Sequence, residues 1–155
     1  MIAVVQRVTS ASVTVEGKIT GACEQGLAIL LGVAPEDTSK EVKILAEKIA
    51  KLRIFSDEAG KMNLSVTDIG GGAVVVSQFT LMANCSHGNR PDFFGAASPA
   101  IAEPLYEEFA NYLETLIPGP VGRGVFGADM HYEIHNDGPV TILLDTNKLG
   151  KRKQS

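Results

Sequence analysis

Hydrophobic and polar positions alternate at the start of the chain and then change period. Val4, Val8, Val13 and Val15 mark two runs, 1–8 and 11–16, that read as paired β-strands. Glu16-Gly17-Lys18 is a turn signal, and a further strand is expected over 19–24. Gly26-Leu27-Ala28-Ile29-Leu30-Leu31-Gly32-Val33 is continuously apolar. Short and bordered by glycine, it reads as a strand buried on both faces.

The period then becomes helical. Thr38 with Glu41 three residues on makes a capping box, and Val42, Leu45, Ala46, Ile49 and Leu52 share one stripe. This predicts a helix over Pro35–Leu52. Strands are expected at 52–55 and 73–79, with turns at Asp57-Glu58-Ala59-Gly60-Lys61 and at Gly70-Gly71-Gly72. A second helix over 99–117 carries Leu105, Phe109, Tyr112, Leu113 and Leu116 on its apolar side. Pro104 belongs either to its first turn or to a kink. Strands near 121–126, 130–135 and 139–145 complete the pattern. The order predicts one α/β domain, its strands in two sheets or one curled sheet, with both helices on one side.

With 155 residues, 45% of them hydrophobic, the chain suits one domain, here 1–147. Lys148, Lys151, Arg152 and Lys153 give 148–155 the look of a basic, flexible tail. No apolar run reaches the roughly 18 residues a membrane helix needs. Met1–Arg7 lacks the basic start of a signal peptide, so a cytoplasmic location is expected. A net charge of −4 argues against a surface that coats nucleic acid broadly, but not against docking of one RNA end. Cys23 and Cys85 form no disulfide framework and read as reduced thiols.

The common catalytic signatures are absent: there is no phosphate-binding loop, no HExxH and no GxSxG elbow. His131 and His135 lie in an apparent strand, about 13 Å apart, too far to share one zinc ion. No metal and no cofactor is expected. Two segments stand out. Ser77-Gln78-Phe79-Thr80-Leu81 brings polar residues to the end of a buried strand, where α/β proteins commonly place sites. The alternative reading is that Ser77 and Thr80 only satisfy backbone groups there. Asn136-Asp137-Gly138-Pro139-Val140-Thr141 interrupts two strand-like runs and reads most simply as a hairpin turn.

Together these two segments resemble the signature motifs of the D-aminoacyl-tRNA deacylases. Ala3-Val4-Val5-Gln6-Arg7-Val8, Leu52-Arg53-Ile54-Phe55, Lys61-Met62-Asn63-Leu64-Ser65, Ala102-Glu103-Pro104-Leu105-Tyr106 and Gly124-Val125-Phe126-Gly127-Ala128-Asp129-Met130 also fit. The likeness spans about residues 1–146. It implies a homodimer of β/β/α layers with two sites at the subunit interface, and aminoacyl-tRNA as the partner. The implied activity is ester hydrolysis of D-aminoacyl-tRNA, and of glycine mischarged on the tRNA for alanine. Ser77, Gln78, Phe79 and Thr80 would line the catalytic pocket around the 3′-terminal adenosine. Gly138-Pro139, joined by a cis bond, would enter the partner's site and reject L-amino acids, with Arg7 supporting that loop. Ser77 and Phe79 resemble the D-specific branch rather than the branch with a Pro-Gln-Ala-Thr segment. The loop Asn84–Phe93 departs from the family at His87, where a lysine is usual. The resemblance therefore implies either no phosphate contact at that position or one that depends on pH through the histidine. The competing readings are a non-catalytic dimeric RNA-binding protein on the same fold, and a metal-dependent hydrolase.

Overall fold

The computed structural model describes residues 1–150. The first two expected strands are one: β1 runs unbroken over Ile2–Val15. Its two runs do not pair with each other, because Thr9 and Ser10 between them carry no turn-forming glycine or proline. The first run instead pairs antiparallel with β3 (Gly26–Gly32), and the second with β2 (Lys18–Cys23). Glu16 and Gly17, both at positive φ, form the turn between β1 and β2.

The last two expected strands are also one, β8 (His131–Asp145), which follows β1 antiparallel along nearly its whole length. The hairpin reading of Asn136–Pro139 is therefore overturned, since the chain does not reverse there. Gln6 pairs with Thr141 and Val8 with Asn136, leaving Asp137–Val140 opposite Arg7 alone. The segment is a large bulge within a strand.

β4 (Phe55–Ser56) and β5 (Met62–Leu64) form a small separate hairpin, and β5 has no counterpart among the sequence expectations. β6 (Gly72–Ser77) lies parallel to β3, and β7 (Val121–Arg123) parallel to β6. The main sheet runs β2-β1-β3-β6-β7, with β8 on the far side of β1.

Helix α1 (Ser39–Lys51) starts after Thr38, later than the expected Pro35, because Thr38 is the N-cap and Glu41 completes the capping box. Helix α2 (Pro99–Leu116) places Pro99 in its first turn and holds Pro104 inside. Both helices pack on one face of the sheet: Val42, Leu45 and Ile49 of α1 and Tyr106, Phe109 and Leu113 of α2 share a core with Leu27, Ile29 and Leu31. Ala28, Val74 and Val76 point the other way, into a second core with Val8, Val13 and Cys23. β3 is thus covered on both sides, as its apolar run predicts. No helix among the described residues is long and apolar enough to cross a membrane. Of the expected tail, Lys148 closes a 3-10 turn over Thr146–Lys148, and 151–155 lie outside the described residues.

One buried ion pair ties the ends of three elements together. The amino group of Met1 meets Asp37 at 2.9 and 3.0 Å and donates to Thr146 Oγ1 at 2.9 Å. Asp37 also accepts from the Ala34 N–H at 2.7 Å. The turn before α1 and the end of β8 therefore converge on the amino group at the start of β1. Asp37→Ala would strand the ammonium without a counter-charge, so unfolding in urea should show a loss of about 3–5 kcal/mol.

Candidate functional site

The continuous apolar stretch of β6 ends at Ser77, where the Gln78 N–H still donates to Leu31 O at 2.8 Å and carries the β3–β6 ladder one step further. Phe79 to Met82 then turn through a single 3-10 helix. A pocket of about 730 Å³ opens at the carboxyl ends of the parallel strands β3 and β6. Ser77, Gln78 and Phe79 form one rim, Phe93 to Ala102 a second, and Phe126 to Ile134 a third. No charged residue, histidine or cysteine lines it.

Phe79 and Phe93 meet edge to face across the mouth, ring centroids 5.0 Å apart. Phe79 remains 55% exposed and the neighbouring Phe94 91%, so the lip is an apolar surface open to solvent. Thr80 is also exposed, and its Oγ1 accepts from Gln78 Nε2 at 2.6 Å. The N–H groups of Phe79 and Thr80 begin the 3-10 turn and have no acceptor among the described residues. Two backbone donors are thus left available beside the pocket.

The floor contains Tyr132, whose hydroxyl donates to Val74 O at 2.7 Å and accepts from the Ile29 N–H at 3.1 Å. Burial pushes this phenol well above the ordinary tyrosine range. Burial likewise raises the Cys23 thiol behind it to about 11 and the Tyr106 phenol to about 12. All three stay protonated at neutral pH, and none offers a general base. No cluster of three metal-ligating side chains occurs among the described residues, and His131 and His135 lie exposed on β8.

The fold brings Ser77, Gln78 and Phe79 to one rim, with Thr80 next to them in the 3-10 turn but outside the lining, while Arg7, Gly138 and Pro139 form a separate group, none of them lining the pocket. Arg7 Nε donates to Asp137 O at 3.0 Å, and its Nη1 donates to Ile54 O at 2.8 Å. The Asp137 carboxylate lies 3.5 Å from Nε. Asn136 Oδ1 accepts from the Val140 N–H at 3.0 Å and closes the bulge from within. Gly138 has φ +130, and a Cβ there would stand 2.8 Å from Arg7 Nη2. The Gly138–Pro139 bond is cis.

Sequence reasoning did not mark Phe93, Phe126, Met130, Tyr132 and Ile134 as lining residues. Their sequence signal is only that of ordinary apolar positions. Phe93 and Phe94, two aromatics in a loop otherwise polar, were the visible hint.

Residues 4–145 match the family model described as D-Tyr-tRNA(Tyr) deacylase. The D-aminoacyl-tRNA deacylase of Deinococcus radiodurans is 59% identical, with 94% of this chain and 99% of that protein aligned. Those of Desulfatibacillum aliphaticivorans and Fervidobacterium nodosum are 56% and 52% identical, covering 94% and 96% of this chain and 99% of each relative. Among solved structures, a c-Myc DNA unwinding element binding protein superposes with a TM-score of 0.88 at 47% identity, over 94% of this chain and 98% of that one. A probable eukaryotic D-amino acid tRNA deacylase shares the fold alone, with a TM-score of 0.81 at 12% identity over 92% and 97% of the two chains. The chain belongs to the D-Tyr-tRNA(Tyr) deacylase family.

Proposed function

We propose that this protein hydrolyses the ester bond of D-aminoacyl-tRNA in the cytoplasm, releasing the free D-amino acid and the tRNA. The observation that carries the reading, beside family membership, is the neutral pocket rimmed by Ser77–Phe79 with two free backbone N–H groups at Phe79 and Thr80. An aminoacyl ester is already activated. It needs an oxyanion site and a placed water more than a strong nucleophile. One oxyanion donor can lower the barrier by about 3–4 kcal/mol.

Thr80 is a poor candidate for the attacking group. A threonine nucleophile needs a base to take its proton. Its hydroxyl oxygen faces Gln78 Nε2, and an amide in either orientation neither accepts nor yields a proton at neutral pH. The 2′-OH of the substrate's terminal ribose is left to position or activate the water.

Handedness is tested by Gly138 and Pro139. In their own chain they are not among the pocket-lining residues, which supports their delivery from a second copy. β8 carries the bulge and pairs only with β1 among the described residues, leaving its other edge open for that copy. Backbone carbonyls beside the substrate Cα exclude the volume an L side chain would fill, while a D side chain points away. Glycine has nothing to exclude and is also discharged, including from the tRNA for alanine.

Purified protein, with chelator present, should hydrolyse D-Tyr-tRNA and spare L-Tyr-tRNA. Loss of both esters would refute the chiral wall. Loss of neither would favour a non-catalytic RNA-binding role, and loss only without chelator a metal hydrolase. Thr80→Ala should keep measurable deacylation, whereas a substrate ending in 2′-deoxyadenosine should be nearly inert; the reverse pattern in single-turnover assays would make Thr80 the nucleophile. Gly138→Ala places a Cβ against Arg7 and Val140 at a φ that L residues rarely adopt. It should weaken discrimination between D-Tyr-tRNA and L-Tyr-tRNA, read as the ratio of their kcat/KM values.

A further inference from the structure

The pocket is neutral, yet a tRNA end is a polyanion. The terminal ribose that bears the ester also bears a phosphodiester at its 5′ position. With the ester at Thr80, that phosphate must lie just outside the mouth. The charged side chains nearest the lips along the chain therefore decide how the RNA backbone enters.

Four of these are unfavourable: the carboxylates of Asp92, Glu103, Asp129 and Glu133 flank the lining residues Phe93, Ala102, Ala128 and Tyr132. Arg90 is favourable. It lies in the loop 84–92, which leaves the 3-10 turn of Phe79–Met82 and returns to Phe93. Both ends of the loop are thus attached to the aromatic pair at the mouth. Arg90 is three residues from Phe93, at most about 11 Å of chain.

The loop has a defined shape. Asn84 and Asp92 exchange both backbone hydrogen bonds, at 2.9 and 3.0 Å. Asn84 Oδ1 accepts from the Ser86 N–H at 3.0 Å, and Gly88 turns the tip at φ +67. All residues from Cys85 to Pro91 are exposed. Asp92 Oδ1 is engaged by the Phe94 N–H at 3.4 Å. Arg90 has no ion-pair or hydrogen-bond partner among the described residues, whereas Arg7 and Arg123 both pair with carboxylates. An unpaired arginine on a shaped loop beside a neutral pocket matches a phosphate contact.

We infer that Arg90 is a positioning residue that holds the phosphodiester backbone of the substrate's single-stranded 3′ end at the mouth of the pocket. This rests on the deacylase function proposed above. Arg90 touches no reacting atom. Its contribution belongs to KM and to the salt dependence.

The test compares wild type, Arg90→Ala and Arg90→Lys on two substrates, D-Tyr-tRNA and D-Tyr-adenosine, which lacks phosphate. Arg90→Ala should raise KM for D-Tyr-tRNA by about 2–5-fold at low salt, with kcat unchanged. The slope of log kcat/KM against log salt should become shallower by about 0.7, the value for one single-strand phosphate. Arg90→Lys should keep the slope, and D-Tyr-adenosine should be hydrolysed alike by all three proteins. An unchanged KM and slope in Arg90→Ala, or equal losses on both substrates, would overturn the assignment. If wild type cleaves neither ester, the proposed function fails, and the comparison passes to binding of uncharged tRNA. There, an affinity and salt slope unchanged in Arg90→Ala overturn the loop contact.

Discussion

The ladder between β1 and β8 is the constraint on which the rest of the molecule depends. It runs antiparallel from Ile2 and Asp145 to Thr14 and His131, and only near Arg7 does it open. A bulge of four residues in such a ladder leaves backbone groups without their strand partners. Here two of those groups are met locally. Arg7 takes the Asp137 carbonyl, and the Asn136 side chain takes the Val140 N–H. Arg7 also bonds the Ile54 carbonyl, which joins the bulge to the segment leaving α1. The bulge is therefore a held shape rather than a loose excursion, and the intact ladder on both sides sets where it points.

The two cores divide the work of positioning. The helix-facing core fixes β3 and β6 through alternate residues such as Leu27, Ile29 and Val75, and the opposite core fixes them through Ala28, Val74 and Val76. Strands gripped on both faces cannot slip by one residue without exchanging every side chain between cores. The end of β6, and with it the turn at Phe79, is thereby placed by packing throughout the domain. The pocket opens where this double coverage stops, with Leu30, Val76 and Tyr132 at its base.

Local signals were legible in the sequence where local chemistry decides. Thr38 and Glu41 define the start of α1 because a cap is a contact within four residues. The apolar run of β3 correctly implied cover on both faces. The errors arose where distant pairing decides. Asn136-Asp137-Gly138-Pro139 contains the same residues whether it reverses the chain or bulges from a strand; only the registers of Gln6 with Thr141 and Val8 with Asn136 separate the two outcomes. The break between 8 and 11 was likewise a bulge against β8 and not a turn. For the site, Ser77–Thr80 stood out as polar residues ending an apolar strand. The aromatic and methionine walls did not, because Phe126 and Met130 look like any core residue until the fold leaves space beside them.

A pocket with no charged lining residue suits a reaction whose selectivity concerns shape more than side-chain chemistry. A charged or strongly polar lining would favour some amino acids over others, since a matched polar group gains a hydrogen bond and an unmatched one leaves a buried partner bare. Under the proposed function, backbone donors at Phe79 and Thr80 would meet only the ester, which every aminoacyl-tRNA shares. Backbone atoms at Gly138 and Pro139 would meet only the Cα, where handedness resides. Under the proposed function, the neutrality of the pocket is what would let one site accept many side chains and still distinguish D from L. The electrostatic part of recognition is then left to residues outside the pocket, where the RNA begins.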